Sequence, residues 1–322
     1  MKFVYEIQKN RTIKLWRCFT YGGEIEIPDG LSGYPVVELA PYAFSDYMEE
    51  EKLEEKIRSG KLLLSERDEE PVLSGKRLKG IQLPKTLQKI GAYAFYNCSS
   101  LEYISFYGGL KDLGAGLFTG CHHVRRMELT LDETGVSCLQ EILMELNEEL
   151  RLTIYRGNEE ASLVFPEFYE EGVENTPARI LMTQMHGSGM HFRNCFYQKR
   201  FDFHAYDGCF FRAKAQEDRA LVMELALGRL RFPMELGSEG RADYEKYLKE
   251  HLPEAGLRAI EQRDMELLNW LVKEYLPESP KEETILRQLL GRAAEQGFTE
   301  GNAFLLSVLH GRFSSREELF EF

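Results

Sequence analysis

An apolar pattern that recurs after 23 residues constrains this chain more than any other feature of its sequence. Aligning residues 81–106 with residues 110–129 at that shift pairs apolar side chains at seven positions. The pairs are Leu87/Leu110, Ile90/Leu113, Phe95/Phe118, Cys98/Cys121, Leu101/Val124, Ile104/Met127 and Phe106/Leu129. A single unit of this length cannot bury its own apolar side, so such units stack and their equivalent residues form continuous ladders. The pattern predicts stacked coils, each with a short strand and a turn.

A third copy of the pattern lies upstream, in residues 25–46, where Phe44 corresponds to Phe95. These two phenylalanines are 51 residues apart, which is one 23-residue period with 28 additional residues. The charged segment 47–75 accounts for the excess, and we predict an insertion there with a short exposed helix near residues 48–58. Two interpretations stay open, namely an element that contacts a partner and a tolerated surface loop.

The order of residues within the second copy carries a family resemblance. Its pattern I-x-L-P, followed by L-x-x-I-G-x-x-A-F-x-x-C-x-x-L-x-x-I, resembles the leucine-rich repeats of the BspA type. The copy at residue 110 is looser, with Leu117-Phe118 in place of Ala-Phe, and LSGYPVVELAPYAF looks like an opening coil. The resemblance covers residues 25–129. It implies a solenoid that binds proteins or surfaces and implies no catalytic residues, and many relatives are exported and attached to the cell surface.

The 23-residue period is lost after Leu129. Apolar spacing predicts a helix over 136–146 and strands over 150–155, 161–169 and 178–185, with an acidic, proline-containing loop between the last two strands. We therefore predict an α+β fold in three parts. These are a leucine-rich-repeat solenoid over 1–155, a β-rich connecting segment over 156–214 and an all-helical region over 215–322.

Strong helix formers and short breaks at Gly, Pro or Asp mark the last third of the chain. The predicted helices cover residues 217–230, 242–250, 253–262, 265–276, 280–296 and 300–311. A shift of 34 residues matches Ala259 with Ala293 and Leu271 with Leu305. Paired helices at that period weakly resemble ankyrin repeats, and a generic helical bundle is the alternative.

Residues 192–211 are rich in aromatic side chains, with arginine and lysine between them. The aromatic residues are Phe192, Phe196, Tyr197, Phe201, Phe203, Tyr206, Phe210 and Phe211. One interpretation is a stacking platform for single-stranded nucleic acid, and the other is a core of strands and turns that joins two domains. We favour the core and predict no nucleic-acid binding, because a net charge of −13 repels phosphate.

The same region contains residue types that serve in metal sites and hydrolases, namely His186, His191, Cys195, His204 and Cys209. Zinc sites favour closely spaced pairs, and His191-x3-Cys195 is the nearest approach to one. The run His186-Gly187-Ser188-Gly189 departs from the G-x-S-x-G nucleophile elbow. We therefore predict no catalytic, cofactor-binding or metal-binding residues. A metal-dependent or hydrolytic module in residues 161–214 is the alternative.

The cysteines lie at positions 18, 98, 121, 138, 195 and 209, with no C-x-x-C pair. We expect them to act as small buried side chains without disulfides.

The N-terminal segment lacks the apolar run of an export signal, and no window is long enough to span a bilayer, which predicts a cytoplasmic protein without membrane contact. The sequence thus predicts a non-catalytic protein–protein interaction scaffold of unknown partner. A surface adhesin, by analogy with the repeat family, is a second alternative.

Overall fold

The computed structural model of the chain describes residues 1–65, 70–175, 180–276 and 281–317. These residues divide into two compact units, Met1–Gly237 and Ser238–Phe322. The first unit contains all the strands found in the described residues, and the second contains helices. This mixed content confirms the predicted α+β class.

The first unit begins with β1 (Lys2–Ile7), β2 (Ile13–Phe19), β3 (Glu24–Glu26), β4 (Gly30–Leu31), β5 (Tyr34–Leu39), α1 (Glu50–Arg58) and β6 (Leu63–Leu64). The repeat region continues with a 3-10 turn (Gly75–Arg77), β7 (Gly80–Gln82), β8 (Lys89–Ile90), β9 (Tyr103–Tyr107), β10 (Asp112–Leu113) and β11 (Arg126–Leu131). It is followed by α2 (Leu139–Glu145), β12 (Leu150–Arg156), β13 (Glu159–Phe165), β14 (Tyr169–Asn175) and β15 (Ile180–His186).

Two sheets hold the repeats together. The first sheet has the strand order β10-β8-β5-β2-β1-β6, and the pairs from β10 to β2 are parallel. The second has the order β13-β12-β11-β9-β7-β3 and is parallel from β12 to β3. Met127 pairs with Ile104, and Ile104 pairs with Ile81. Residues spaced by 23 positions therefore occupy one ladder, as the sequence alignment predicted.

Three phenylalanine rings form a buried ladder through the coils. The ring of Phe95 stacks on those of Phe44 and Phe118, with both centroid distances at 5.4 Å. The thiols of Cys98 and Cys121 are buried beside this ladder and donate to the backbone oxygens of Phe44 and Phe95 at 3.2 and 3.0 Å. Phe44 and Phe95 therefore lie on neighbouring coils, although residues 47–75 separate them along the chain.

The insertion contains the predicted helix, as α1, but one face of this helix is packed rather than exposed. Leu53 is buried in a cluster with Val4, Met48 and Leu62. The guanidinium of Arg17, on β2, is fully buried and donates to the backbone oxygens of Ala43 and Ser45 and to the carboxylate of Glu50. These contacts anchor the start of the insertion to β1, β2 and the first coil.

Residues 170–175 were predicted as part of an acidic loop, but they form β14, which pairs with β15 in an antiparallel hairpin. The loop prediction was wrong because it rested on acidic residues, and antiparallel pairing between two strands tolerates them.

The segment predicted as core strands and turns is mainly helical. This segment and the residues next to it contain α3 (Gly189–Arg193), β16 (Phe196–Tyr197), β17 (Arg200–Phe201), α4 (Phe203–Gly208) and α5 (Phe210–Gln216). They are followed by α6 (Arg219–Arg231), at the position of the helix predicted over 217–230. Asp202 and Asp218 accept hydrogen bonds from the backbone N–H groups of Ala205 and Leu221 and so cap α4 and α6. These capping signals, three residues before the bonded N–H, were present in the sequence.

Helix α6 packs against β13 within the first unit. The sequence interpretation placed this helix in a separate region that starts at residue 215, whereas the compact unit extends to Gly237. The predicted boundaries at residues 155 and 214 do not coincide with this division.

The second unit contains α7 (Ser238–Glu250), α8 (Leu252–Glu261), α9 (Met265–Glu274), α10 (Lys281–Glu295) and α11 (Thr299–Glu317). Helix α8 packs on α9 and α10, and α10 packs on α11. Ala259 and Ala293, matched in the 34-residue alignment, are both fully buried. Equivalent burial fits the paired-helix pattern, and the ankyrin-like resemblance stays a prediction.

Candidate binding surfaces

A groove of about 830 Å³ lies between α1 and the turns of the first coils. Five aromatic side chains line it, and we call this surface the tyrosine groove: Trp16, Tyr42, Tyr47, Tyr93 and Tyr96. The opposite wall is provided by the insertion, including Glu49, Lys52 and Lys56. The groove therefore exists because the insertion folds back beside the coils.

The tyrosine rings form one continuous aromatic surface. Tyr42 and Tyr93 are stacked, with ring centroids 5.4 Å apart. Tyr96 contacts Tyr93 and Tyr47 edge to face, at 5.7 and 5.0 Å. Tyr47 is 63% exposed and Tyr93 is 36% exposed, so the surface is open to a ligand.

The backbone at two of these tyrosines is unusual. Tyr42 and Tyr93 have φ angles of 60° and 59°, and Gly116, one period after Tyr93, has 61°. The coil turn thus requires a left-handed residue, which glycine adopts freely and a side chain with a Cβ adopts at a cost. The first two coils carry tyrosine where the third carries glycine. Such strain is characteristic of positions kept for function.

Trp16 adds an indole ring to the wall of the tyrosine groove. Its indole Nε1 is buried and has no hydrogen-bond partner among the described residues. The ammonium of Lys56 lies 4.0 Å from the centroid of the indole ring, on its face, where a cation is attracted by the ring. Because the indole nitrogen is shielded from solvent, Trp16 contributes its ring and not its N–H to the open groove.

A second surface is the polar face of the second sheet, where outward side chains alternate with the buried ladders. Burial, followed by a hydrogen bond with Glu128, raises the pKa of Tyr103. Burial and then the carboxylates of Glu128 and Glu160 raise the pKa of Tyr155. This face is a half-buried array of tyrosines and acids, without the open aromatic groove of the first surface.

Of the residues of the alternative metal or hydrolase site, Cys195 and Cys209 lie next to each other, with their sulfurs 3.8 Å apart. The histidines do not join them in a metal site within the described part of the chain. His186 stacks on Tyr169 at 4.7 Å, and its Nε2 lies 2.9 Å from an oxygen of Glu171. His191 and His204 are exposed on α3 and α4. Among the described residues, no group of three or more His, Cys, Asp or Glu side chains is arranged to hold a metal ion.

Ser188, the candidate nucleophile, is fully buried at the start of α3. Its hydroxyl group and its backbone N–H both donate to one carboxylate oxygen of Glu217, at 2.5 and 2.8 Å. The serine joins α3 to the start of α6, and its hydroxyl is directed to a carboxylate where a hydrolase needs a histidine.

The aromatic segment 192–211 lies mostly in the core, since five of its eight rings are buried: Phe192, Phe201, Phe203, Tyr206 and Phe210. Arg193 among them is fully buried and donates to the backbone oxygens of Leu146, Pro166 and Glu148 at 2.8, 2.5 and 2.7 Å. Its desolvation lowers its pKa to about 10. This arrangement fits the core interpretation, because the rings and Arg193 are used within the protein.

Comparison with known proteins agrees with the repeat pattern. Residues 70–147 match the family described as BspA type leucine rich repeat region (6 copies). A search of the curated proteins finds no match. None of the helices in the described residues is long and apolar enough to cross a lipid bilayer.

Two solved structures are similar to parts of the chain. One is a leucine rich cell surface protein of Faecalibacterium prausnitzii A2-165, 19% identical, matching 42% of this chain and 33% of that one with a TM-score of 0.28. The other is a leucine rich repeat protein of T. pallidum, 21% identical, matching 48% of this chain and 80% of that one with a TM-score of 0.20. This chain spans about a third of the first protein, and at these TM-scores neither similarity carries an argument about function.

Proposed function

Because residues 70–147 are BspA-type leucine-rich repeats, we propose that the chain is a non-catalytic scaffold whose solenoid binds a protein partner through the tyrosine groove. The repeat family suggests protein interaction or surface adhesion and is typically non-enzymatic. Stacked repeats offer an extended surface whose outward side chains do not pack in the core ladders and can contact a partner. The tyrosine groove is such a surface, and it is enlarged by the insertion.

The observation that carries this proposal is the pair of left-handed tyrosines. Glycine would serve the turn at Tyr42 and Tyr93 without strain, as it does at Gly116. Tyrosine at these positions adds two large rings to an open surface at a conformational cost. Aromatic side chains with a polar end are the residues that most often dominate binding energy at interfaces.

The chemistry of the tyrosine groove favours an extended partner segment. Rings arranged in a row accept apolar side chains that alternate along an extended chain. A polyproline II segment presents its side chains in this way, and aromatic-lined grooves recognise such segments in other proteins. The partner in this proposal is therefore a short unstructured segment of another protein.

Selection from a displayed library of random peptides tests the proposal. Peptides selected on the unsubstituted chain should lose about thirtyfold or more in affinity for Tyr93→Gly, which is the loss expected at an interface hot spot. Glycine already occupies the equivalent turn at Gly116, so this variant should keep its fold. The matched control is Tyr21→Gly, at a side chain that is 76% exposed outside the groove. Selected peptides that bind both variants equally would contradict the proposal.

Surface adhesion would use the same groove on an exported form of the chain. The cytoplasmic location predicted from the N-terminal residues stays a prediction, and fractionation of the native cells distinguishes the two locations. An enzymatic module in residues 161–214 is not part of this proposal. Among the described residues no group of three or more His, Cys, Asp or Glu side chains is arranged to hold a metal ion, and the hydroxyl of Ser188 is directed to Glu217.

A further inference from the structure

Two cysteines that are distant in sequence lie side by side in the first unit. The sulfur of Cys195 is 3.8 Å from that of Cys209. Cys195 follows α3, and Cys209 is the residue between α4 and α5. The hairpin β16–β17 and the helix α4 lie between them and bring the chain back on itself. The sequence analysis treated these cysteines as dispersed, because 13 residues lie between the two positions.

We propose that Cys195 and Cys209 are a modification site, where a small-molecule disulfide such as oxidised glutathione converts the two thiols into an intramolecular disulfide. The sulfurs are in contact in the reduced protein. A disulfide requires a separation of about 2.0 Å, so the sulfurs must approach each other by about 1.8 Å. Side-chain rotation and a small backbone adjustment in the segment between them can supply such a movement.

The surroundings of the two thiols assign them different roles. Cys209 is partly exposed, whereas Cys195 is buried. A hydrogen bond from the Cys195 thiol, assisted by the charge of Arg212, lowers the pKa of Cys209. The same contact, together with burial, raises the pKa of Cys195. Cys209 is therefore the attacking thiolate, since nucleophilic cysteines are accessible and have a lowered pKa.

Oxidised glutathione accepts the two electrons that the protein thiols lose. The Cys209 thiolate attacks one sulfur of oxidised glutathione, forming a mixed disulfide and releasing one glutathione thiolate. Cys195 then gives up its proton to solvent, and its sulfur attacks the Cys209 sulfur and releases the second glutathione. Two protein thiols are oxidised to one disulfide, and one glutathione disulfide is reduced to two thiols. An excess of reduced glutathione drives the same steps in reverse.

The other cysteines provide an internal comparison. Cys18 is fully buried, and burial raises its pKa. Cys98 and Cys121 are buried and donate to backbone oxygens. Burial raises the pKa of Cys138 to about 12. The conditions for thiolate attack are therefore met at Cys209 and not at these four sites.

Titration of the full chain with oxidised and reduced glutathione, followed by alkylation and mass analysis, tests the proposal. The unsubstituted chain should lose two hydrogen atoms and yield one cross-linked pair of peptides containing Cys195 and Cys209. Cys195→Ser should instead accumulate one glutathione at Cys209, and Cys209→Ser should gain neither modification. Cys138→Ser is the matched control and should behave as the unsubstituted chain.

Thermal unfolding supplies a second measurement. The bridge closes a short loop, so the oxidised chain should melt about 5–10 °C higher than the reduced chain. Cys209→Ser should show no such shift. The proposal is overturned if the unsubstituted chain retains glutathione on Cys209 without a cross-link, or stays reduced under conditions that modify Cys195→Ser. Both outcomes are independent of whether the tyrosine groove binds a partner.

Discussion

The hydroxyl group of Tyr206 binds both backbone groups of Val164. It accepts a hydrogen bond from the Val164 N–H at 2.8 Å and donates one to the Val164 carbonyl at 2.7 Å. Val164 lies on β13, which ends the second sheet, so α4 completes the hydrogen bonding of an edge strand. Tyr206 is fully buried, and its desolvation raises its pKa well above the ordinary value. The hydroxyl therefore stays neutral and keeps its proton for the carbonyl.

Tyr206→Phe tests this link. The substitution preserves the ring but leaves the N–H and the carbonyl of Val164 buried without a partner. We expect the free energy of unfolding to fall by about 1–3 kcal/mol, measured by urea denaturation. Tyr197→Phe, at a ring that is 68% exposed, should change it little. An equal effect of the two substitutions would show that the hydroxyl of Tyr206 is replaceable by water.

Phe95 is the middle ring of the phenylalanine ladder and contacts a ring on each side. Phe95→Ala removes a fully buried ring that stacks on both Phe44 and Phe118. We expect a loss of about 3–5 kcal/mol in the free energy of unfolding, because a cavity is left between neighbouring coils. Phe211→Ala, at a ring that is 59% exposed, is the control. A loss below about 1 kcal/mol at Phe95 would mean that the coils close over the cavity.

A buried ion pair joins α4 to α6. Asp207 accepts from two nitrogens of Arg229, at 2.7 and 3.0 Å, and the two side chains are 3% and 0% exposed. We expect Asp207→Ala to reduce the free energy of unfolding by about 3–5 kcal/mol, because the guanidinium loses its compensating charge in the core.

Adding Arg229→Met to Asp207→Ala should restore part of that loss, since the double variant no longer buries a charge. Urea denaturation of the two single variants and the double variant gives the coupling energy. Additive losses would refute the view that the unpaired charge causes the destabilisation.

The ionisation of Glu160, on the polar face of the second sheet, makes the stability of the folded chain depend on pH. Burial, and then repulsion by Glu128, raises the pKa of Glu160 in the folded chain. The unfolded chain therefore releases this proton first, and stability is lost as the pH rises from about 4.3 toward the folded pKa. Glu160→Gln should have little effect below that window and should raise the melting temperature above it.

Melting temperatures measured at about pH 3.5 and about pH 7 test this sign, because they lie on either side of the ordinary glutamate pKa. The control is Glu133→Gln, at an exposed position in the turn after β11. A gain from Glu160→Gln that is the same at both pH values would assign the effect to packing and not to ionisation.

The repeat was predictable because its period links sequence position to depth in the core. Phe44, Phe95 and Phe118 were aligned from spacing alone, across an insertion, and they form one stack. The tyrosine groove was not predicted, although Tyr42 and Tyr93 occupy the same repeat position. Tyrosine at that position contributes nothing to the apolar pattern, and its left-handed backbone has no signature in the residue type.

Contacts that depend on the path of an irregular segment could not be predicted from the sequence. The approach of Cys195 to Cys209 depends on two short helices and a hairpin, none of which has a period. The capping residues Asp202 and Asp218 were visible signals, and attention to them would have identified α4 and α6 more sharply. Spacing was a better guide than composition, since the acidic residues of β14 misled the interpretation.

The ring of Phe95 contacts two partners at equal distance, but the chain reaches them by unequal paths. Phe118 is 23 residues away and Phe44 is 51 residues away, because the insertion lies before Phe95. Closing the longer loop costs about 0.7 kcal/mol more in chain entropy. During folding, the coils that contain Phe95 and Phe118 should therefore meet first, and the N-terminal coil should join a stack that has already formed. The insertion that forms one wall of the tyrosine groove in the folded protein thus also sets the order in which the coils assemble.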